Sequence, residues 1–327
     1  MRRRAVLIGF AAGLALVSIS SAAQHRPAAR APRVGVLSNG MPAGGHWNSA
    51  FEHRLRELGW HNGRNVVIEY RFAEGKSERL PALASELVRM NIAVIVADLG
   101  TVAVAAQATD RIPIVMRFGL METETGLVAS LGRPEGTITG VTGDVTTEIM
   151  GKRLELLREL APHTRVVAVL YNDFPGVEVY VKALEAAAPK LGFTLHYVKI
   201  QAPSELNDAF ASILRSGADS LFCGGDSVTM PLRKQIADFA LQSRLPGVHG
   251  PAEWSEAGGL VSLGVDLSGV FRRSAEYVDK ILRGAKPADL PVERSTRYVL
   301  VVNRRTAKAL GLTIPASVLL RADRVIE

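Results

Sequence analysis

The chain carries one plan twice. Leu58-Gly59 and Leu191-Gly192 stand 133 positions apart, and Arg111-Ile112-Pro113 and Arg244-Leu245-Pro246 are separated by the same 133. Around these landmarks, short apolar runs alternate with helical patterns. Residues 34–37 form a buried-strand run that opens into Ser38-Asn39-Gly40. Trp47, Phe51, Leu55 and Leu58 then recur at helical spacing until Gly59 stops the helix. Strands over 66–72, 93–97 and 113–118 follow, separated by helices over 78–90 and after Thr101. The second half predicts strands over 166–171, 194–200 and 220–223, with helices over 179–191, 204–214 and 230–242. Strands spaced by such helical patterns build right-handed βαβ units and a parallel sheet. The expected fold is therefore α/β: two doubly wound parallel-sheet lobes joined by a hinge, with a cleft between them. In open sheets of this kind ligands sit beyond the carboxyl ends of the strands, so two such lobes offer two sets of loops to one ligand.

The amino end has a different character. Arg2-Arg3-Arg4 precedes an apolar stretch over 5–19, and Ser21-Ala22-Ala23 supplies the small residues of a cleavage site. The apolar stretch is shorter than the roughly 20 residues that a spanning helix needs. Residues 1–23 are therefore read as a cleavable signal peptide and 24–32 as a linker, which places the mature protein in the periplasm. No cysteine follows the apolar stretch, so the pattern gives no lipid anchor. The general and twin-arginine export routes both stay open.

The chemistry that the sequence excludes is broad. The net charge of +7 includes the three N-terminal arginines, and no Lys/Arg run interleaved with aromatics appears later, so nucleic acid is not the partner. The chain has no G-x-G-x-x-G after a strand, no P-loop and no G-x-S-x-G elbow. Its seven histidines form no metal-binding face, and the single cysteine, Cys223, reads as a buried inert thiol. The helix carrying Lys152, Arg153 and Arg158 reads as an exposed charged face. No cofactor, metal site or catalytic set is expected.

Hydrogen-bonding residues gather instead at strand ends, where loops and helix N-termini hold polar ligands. The candidates are Ser38 and Asn39, Gly100 and Thr101, Arg117 and Phe118, Asn172 and Asp173, and Asp226 and Ser227. Asp226 is read either as a cleft acceptor for a ligand amine or as a helix cap. Arg117 ends an apolar strand and is read as one half of a carboxylate site with the N–H groups around Thr101. A structural ion pair of Arg117 with Asp98 or Glu122 is the competing reading.

Several stretches resemble the periplasmic substrate-binding proteins of ABC transporters, in the family that includes tryptophan-binding members. They are Leu58-Gly59-Trp60 with Asn62-Gly63-Arg64-Asn65-Val66, Ile68-Glu69-Tyr70-Arg71, Arg79-Leu80-Pro81-Ala82-Leu83-Ala84, Gly126-Leu127-Val128-Ala129-Ser130-Leu131, Gly284-Ala285-Lys286-Pro287 and Thr306-Ala307-Lys308-Ala309-Leu310-Gly311-Leu312. The resemblance implies a type I periplasmic-binding fold with lobe 1 over 33–143 plus 265–288 and lobe 2 over 144–264 plus 289–327. It implies a monomer that captures a small polar, carboxylate-bearing, amino-acid-like or aromatic molecule and delivers it to an ABC permease in the inner membrane. A sensory binding protein serving a membrane receptor, or a periplasmic enzyme, are the alternatives. The chain departs from the family pattern at Asp98-Leu99-Gly100-Thr101 and at Arg117-Phe118-Gly119-Leu120-Met121-Glu122, both at strand ends.

Overall fold

The computed structural model describes residues 31–40, 46–98, 100–120, 126–143, 147–173 and 177–327. The expected signal peptide lies outside them, as do Leu99, Met121 and Glu122.

The first half runs β1 (Arg33–Ser38), α1 (His46–Glu57), β2 (Val67–Phe72), α2 (Leu80–Arg89), β3 (Val94–Asp98), α3 (Thr101–Ala108), β4 (Ile114–Leu120) and β5 (Ile138–Gly143). The second half continues with α4 (Thr147–Leu160), β6 (Val166–Tyr171), α5 (Val177–Ala187), β7 (Thr194–Lys199), α6 (Leu206–Arg215), β8 (Ser220–Cys223), α7 (Arg233–Gln242), β9 (Gly247–His249), α8 (Glu253–Glu256) and β10 (Val261–Val265). The chain ends with α9 (Leu267–Leu282), β11 (Glu293–Ser295), β12 (Tyr298–Asn303), α10 (Arg304–Ala309), α11 (Ala316–Arg321) and β13 (Arg324–Ile326).

Two sheets result, ordered β11-β5-β4-β3-β1-β2 and β13-β12-β10-β9-β8-β6-β7. Five consecutive strands of each repeat one order: β2-β1-β3-β4-β5 in the first matches β7-β6-β8-β9-β10 in the second. The sequence repeat survives in space, since β1 and β6 begin 133 residues apart, as do β4 and β9. Every pairing is parallel except β10 with β12.

Both sheets are covered on both faces, which is why their strands read as continuous apolar runs. Alternation along each strand sorts the residues between two cores. Val34, Val36, Val94, Val96 and Val115 meet Phe51 and Leu55 of α1 and Val270, Phe271 and Val278 of α9. Leu37, Ile95, Ala97, Ile114 and Met116 meet α2 and α3 on the opposite face. In the second sheet Val167, Val169, Phe222 and Val248 face α4 and α5. Ala168, Leu170, Leu221 and Cys223 face α6 and α7.

The chain passes between the sheets after β5, after β10 and between β11 and β12. The last passage corrects the expected boundary. The segment 289–327, expected in the second lobe, contains β11, and β11 pairs with β5 at Glu293↔Val141 in the first sheet. A three-residue strand of mixed polarity gives no periodic signal, so it escaped the pattern. Two passages are tied together: Val265 pairs with Tyr298, and Asp266 N donates to Arg297 O at 3.1 Å. No helix among the described residues is long and apolar enough to cross a membrane.

Candidate functional site

Residues from the carboxyl ends of the two sheets meet. Asn39, just past β1, directs Nδ2 at Ser77 Oγ (3.1 Å) and at Ser227 Oγ (3.5 Å) of the second lobe. Gly75, past β2, lies so close to Val228 that an added Cβ would stand 3.0 Å from its Cγ2. Trp47 of α1 donates its indole N–H to Glu253 Oε1 of α8 at 2.8 Å. Its ring packs against apolar residues of both lobes. These contacts form a rim that brings the lobes together over the strand ends.

The predicted residues divide into those the rim gathers and those it does not. Ser227 Oγ reaches Asn172 Oδ1 at 3.4 Å, and Asn172 N donates to Asp226 Oδ2 at 2.8 Å. Asn39, Ser227, Asn172 and Asp226 therefore form one cross-lobe chain, whereas Ser38 Oγ accepts from Gly40 N at 3.1 Å outside it. Asn39 Oδ1 is buried and has no hydrogen-bond donor among the described residues.

Asp226 is a cap. One carboxylate oxygen accepts from Val228 N (3.0 Å) and Thr229 N (2.7 Å), the other from Asn172 N, while Asp226 N donates to Thr229 Oγ1 at 3.2 Å. This is the reciprocal pattern of a capping turn. Burial raises the carboxyl pKa and the backbone donors pull it back. Thr101 is fully buried, with its hydroxyl between the carbonyls of Leu37 (3.1 Å) and Asp98 (2.5 Å), where it ties β1 to β3. Gly100 takes the left-handed conformation, φ 73°, that starts α3. Asp173 lies apart in an exposed pair with Lys199.

Arg117 follows Met116 on β4, so strand alternation turns it onto the α1/α9 face. It is 1% exposed, stacked 4.0 Å over the Phe271 ring. Nη2 bonds Asp98 Oδ2 at 2.9 Å and Nη1 bonds Asn48 Oδ1 at 2.8 Å. Of its two readings, the ion pair with Asp98 is the one present, and both terminal nitrogens are committed. Phe118, the next residue, has φ 70° at a bulge in the β4–β5 pairing, and its ring packs against cores of both lobes. A bulky residue in that backbone region is strained and persists only where its surroundings hold it.

Among second-lobe side chains, sequence reasoning missed Arg153, Tyr180 and His249. Arg153 is not on an exposed face: it is 7% exposed, and its Nε donates to Leu263 O of β10 at 2.7 Å. The signal was its spacing, since Met150, Arg153, Leu154 and Leu157 share one helical stripe. Burial lowers its pKa to about 10. Neighbouring Tyr180 and Cys223 are pushed up by the same burial. His249 is fully buried, stacks on Trp254 with ring centroids 4.7 Å apart, and is held down to about 3 by burial and then by the Arg153 charge. Beside these groups lies a mostly apolar pocket of about 450 Å³, counting space open to solvent. Val169, Tyr171, Tyr180, Leu184, Phe222 and Gly225 line it.

A bilobed α/β chain with such a cleft is tested by comparison. Residues 42–326 match the family model described as ABC transporter substrate binding protein. The chain belongs to that family. It is 26% identical over 264 residues to a tyrosine-binding protein of Clostridioides difficile strain R20291, covering 80% of this chain and 75% of that protein. Among solved structures, a Streptococcus pneumoniae domain in complex with L-Trp matches at TM-score 0.79, with 24% identity over 90% of this chain and 99% of that one. The ligand-free, open structure of a Clostridium difficile substrate-binding protein with adhesive properties, 25% identical over the same shares, matches at only 0.61.

Proposed function

We propose that this chain captures an aromatic amino acid, or a closely similar aromatic carboxylate, between its lobes and delivers it to the permease of an ABC importer. The observation that carries the reading is the mostly apolar pocket with tyrosine walls in the second lobe, at the carboxyl ends of β6 and β8 and beside Asp226 of the cross-lobe chain. An apolar pocket receives a ring, and the few polar groups around it orient the rest of the ligand. The tyrosine-binding relative and the L-Trp complex support the same ligand class. No catalytic step is assigned: among the described residues the strand ends hold caps, an ion pair and a stacked histidine. Export through residues 1–23 and work in the periplasm complete the reading.

Thermal-shift screening of the exported protein against amino acids, aromatic acids, small carboxylates and sugars tests it. A ligand present at 100 times its Kd stabilises the folded state by about 2.7 kcal/mol. Stabilisation by tyrosine, tryptophan or a related acid is expected. A response to sugars alone would refute the ligand class.

A further inference from the structure

We infer that the Arg153 guanidinium is the receptor for the carboxylate of the bound solute. The argument starts from position. Arg153 projects from α4 across the ends of the central strands of the second sheet: Nε is fixed on Leu263 O of β10, and Nη2 lies 3.4 Å from where a Cβ on Gly250, just past β9, would stand. A Cβ on Gly250 would be 2.1 Å from Gly224 O, and one on Gly264 would be 2.5 Å from Gly250 O. Glycine alone lets these strand ends close together, and none of them places a side chain beside the guanidinium. Carboxyl ends of strands are where open sheets of this type hold ligands.

Charge supplies the second step. Among the described residues two arginines are almost completely buried, and they are treated differently. Arg117 is neutralised by Asp98 at 2.9 Å. Arg153 has no carboxylate within ion-pair distance among the described residues, and Nη1 has only the Met150 sulfur at 3.5 Å. Burial pushes Tyr180 and Cys223, two of the groups acting on it, up and away from ionisation. Burial, with the Arg153 charge second, holds His249 in its neutral form. An uncompensated buried charge is expensive for a fold to keep. With Nε anchored, the two terminal nitrogens remain as a planar fork, and a carboxylate matches such a fork with two parallel bonds.

The third step is adjacency. Tyr180 forms a wall of the apolar pocket and is among the groups whose fields act on Arg153. In this assignment the ring of the solute takes that pocket and its carboxylate takes the guanidinium fork. This assignment rests on the aromatic-acid reading for the identity of the ligand, but not for the behaviour of the ligand-free protein.

The experiment uses the exported protein with Arg153→Met and Arg153→Lys and has two arms. In the first, unfolding without ligand is compared; the Met variant is expected to melt at or above the parent temperature, because a buried charge is replaced by an apolar chain of similar length. A clear drop in melting temperature would make Arg153 a structural residue and overturn the inference. In the second, L-tyrosine and L-tryptophan are titrated calorimetrically against tyramine and tryptamine, which lack the carboxylate. The parent is expected to prefer the acids at least tenfold, the Met variant to lose that preference, and the Lys variant to keep part of it. A Met variant that binds the acids as tightly as the parent overturns the inference. If the parent binds none of the four probes, the aromatic-acid reading falls, and Arg153 is then judged by the stability arm alone.

Discussion

Arg117 and Asp98 occupy one register position on neighbouring parallel strands, and their side chains join at 2.9 Å beneath the Phe271 ring. The pair is asymmetric in exposure, 1% for the arginine and 18% for the aspartate. Removing Asp98 strands a buried cation, whereas removing Arg117 leaves an anion that reaches water. Asp98→Ala should therefore cost about 3–5 kcal/mol of stability, and Arg117→Met clearly less. Urea unfolding of the two variants checks this, and equal losses would contradict it.

The bond from Trp47 to Glu253 spans the lobes, so it acts on closure and hardly on the stability of either lobe. Trp47→Phe keeps the ring but removes the donor to a carboxylate, a bond worth about 1.5–3 kcal/mol. Ligand affinity should fall roughly tenfold or more. Small-angle scattering of the ligand-free variant should give a larger radius of gyration than the parent. An unchanged radius and affinity would remove the latch role.

Asp226 uses both carboxylate oxygens for backbone N–H groups, so even the isosteric amide is a poor substitute. Asp226→Asn turns an NH₂ group toward one of those donors. A loss of about 1–3 kcal/mol is expected, with Asp226→Ala at least as costly, measured by thermal unfolding. A fully stable Asn variant would show that the cap is dispensable.

His249 predicts a pH dependence. Its folded pKa of about 3 lies below the ordinary 6.5, so between these values the unfolded chain binds a proton that the folded chain refuses. Stability from this residue is present above pH 6.5 and drains as pH falls through the window, by about 1.4 kcal/mol per pH unit. His249→Asn should reduce the slope of unfolding free energy between pH 6 and 4 by one proton, whatever its absolute stability. An unaltered slope would assign the acid sensitivity elsewhere.

The glycine contacts at the strand ends are steric and can be tested directly. An added Cβ at Gly264 meets Gly250 O at 2.5 Å and Pro251 Cα at 2.9 Å, both on backbone that cannot swing away. Gly264→Ala should cost several kcal/mol, on the order of 1–3 or more for overpacking, and should abolish ligand binding. Gly132→Ala, where nothing stands within 4 Å, should be silent in both measurements.

The lobes were legible because two signals agreed. Apolar runs of strand length alternated with helical stripes, and the pair of repeated landmarks fixed the halves 133 residues apart. Strands β5, β9, β10, β11, β12 and β13 were not among the expected ones; β9, β11 and β13 have three residues each, too few to carry a period. The site was read less well for a definite reason. Strand-end position does not by itself separate ligand contact from structural duty: backbone groups at strand ends need partners of their own, and Thr101 and Asp226 satisfy those. Arg153 was overlooked because flanking Lys152 and Arg158 suggested an exposed face, although the stripe through Met150 and Leu157 already placed it inward.

The fully buried, sole cysteine has a practical consequence. Cys223 faces α6 and α7 with its thiol pushed far from ionisation, so maleimide dyes do not reach it in the folded protein. A cysteine placed at Ser227, the rim residue opposite Asn39, is then the single labelling site in the chain. A fluorophore there would pass from water to a wedged environment each time the lobes meet, making the protein an optical sensor for its own solute without any native residue having to be silenced first.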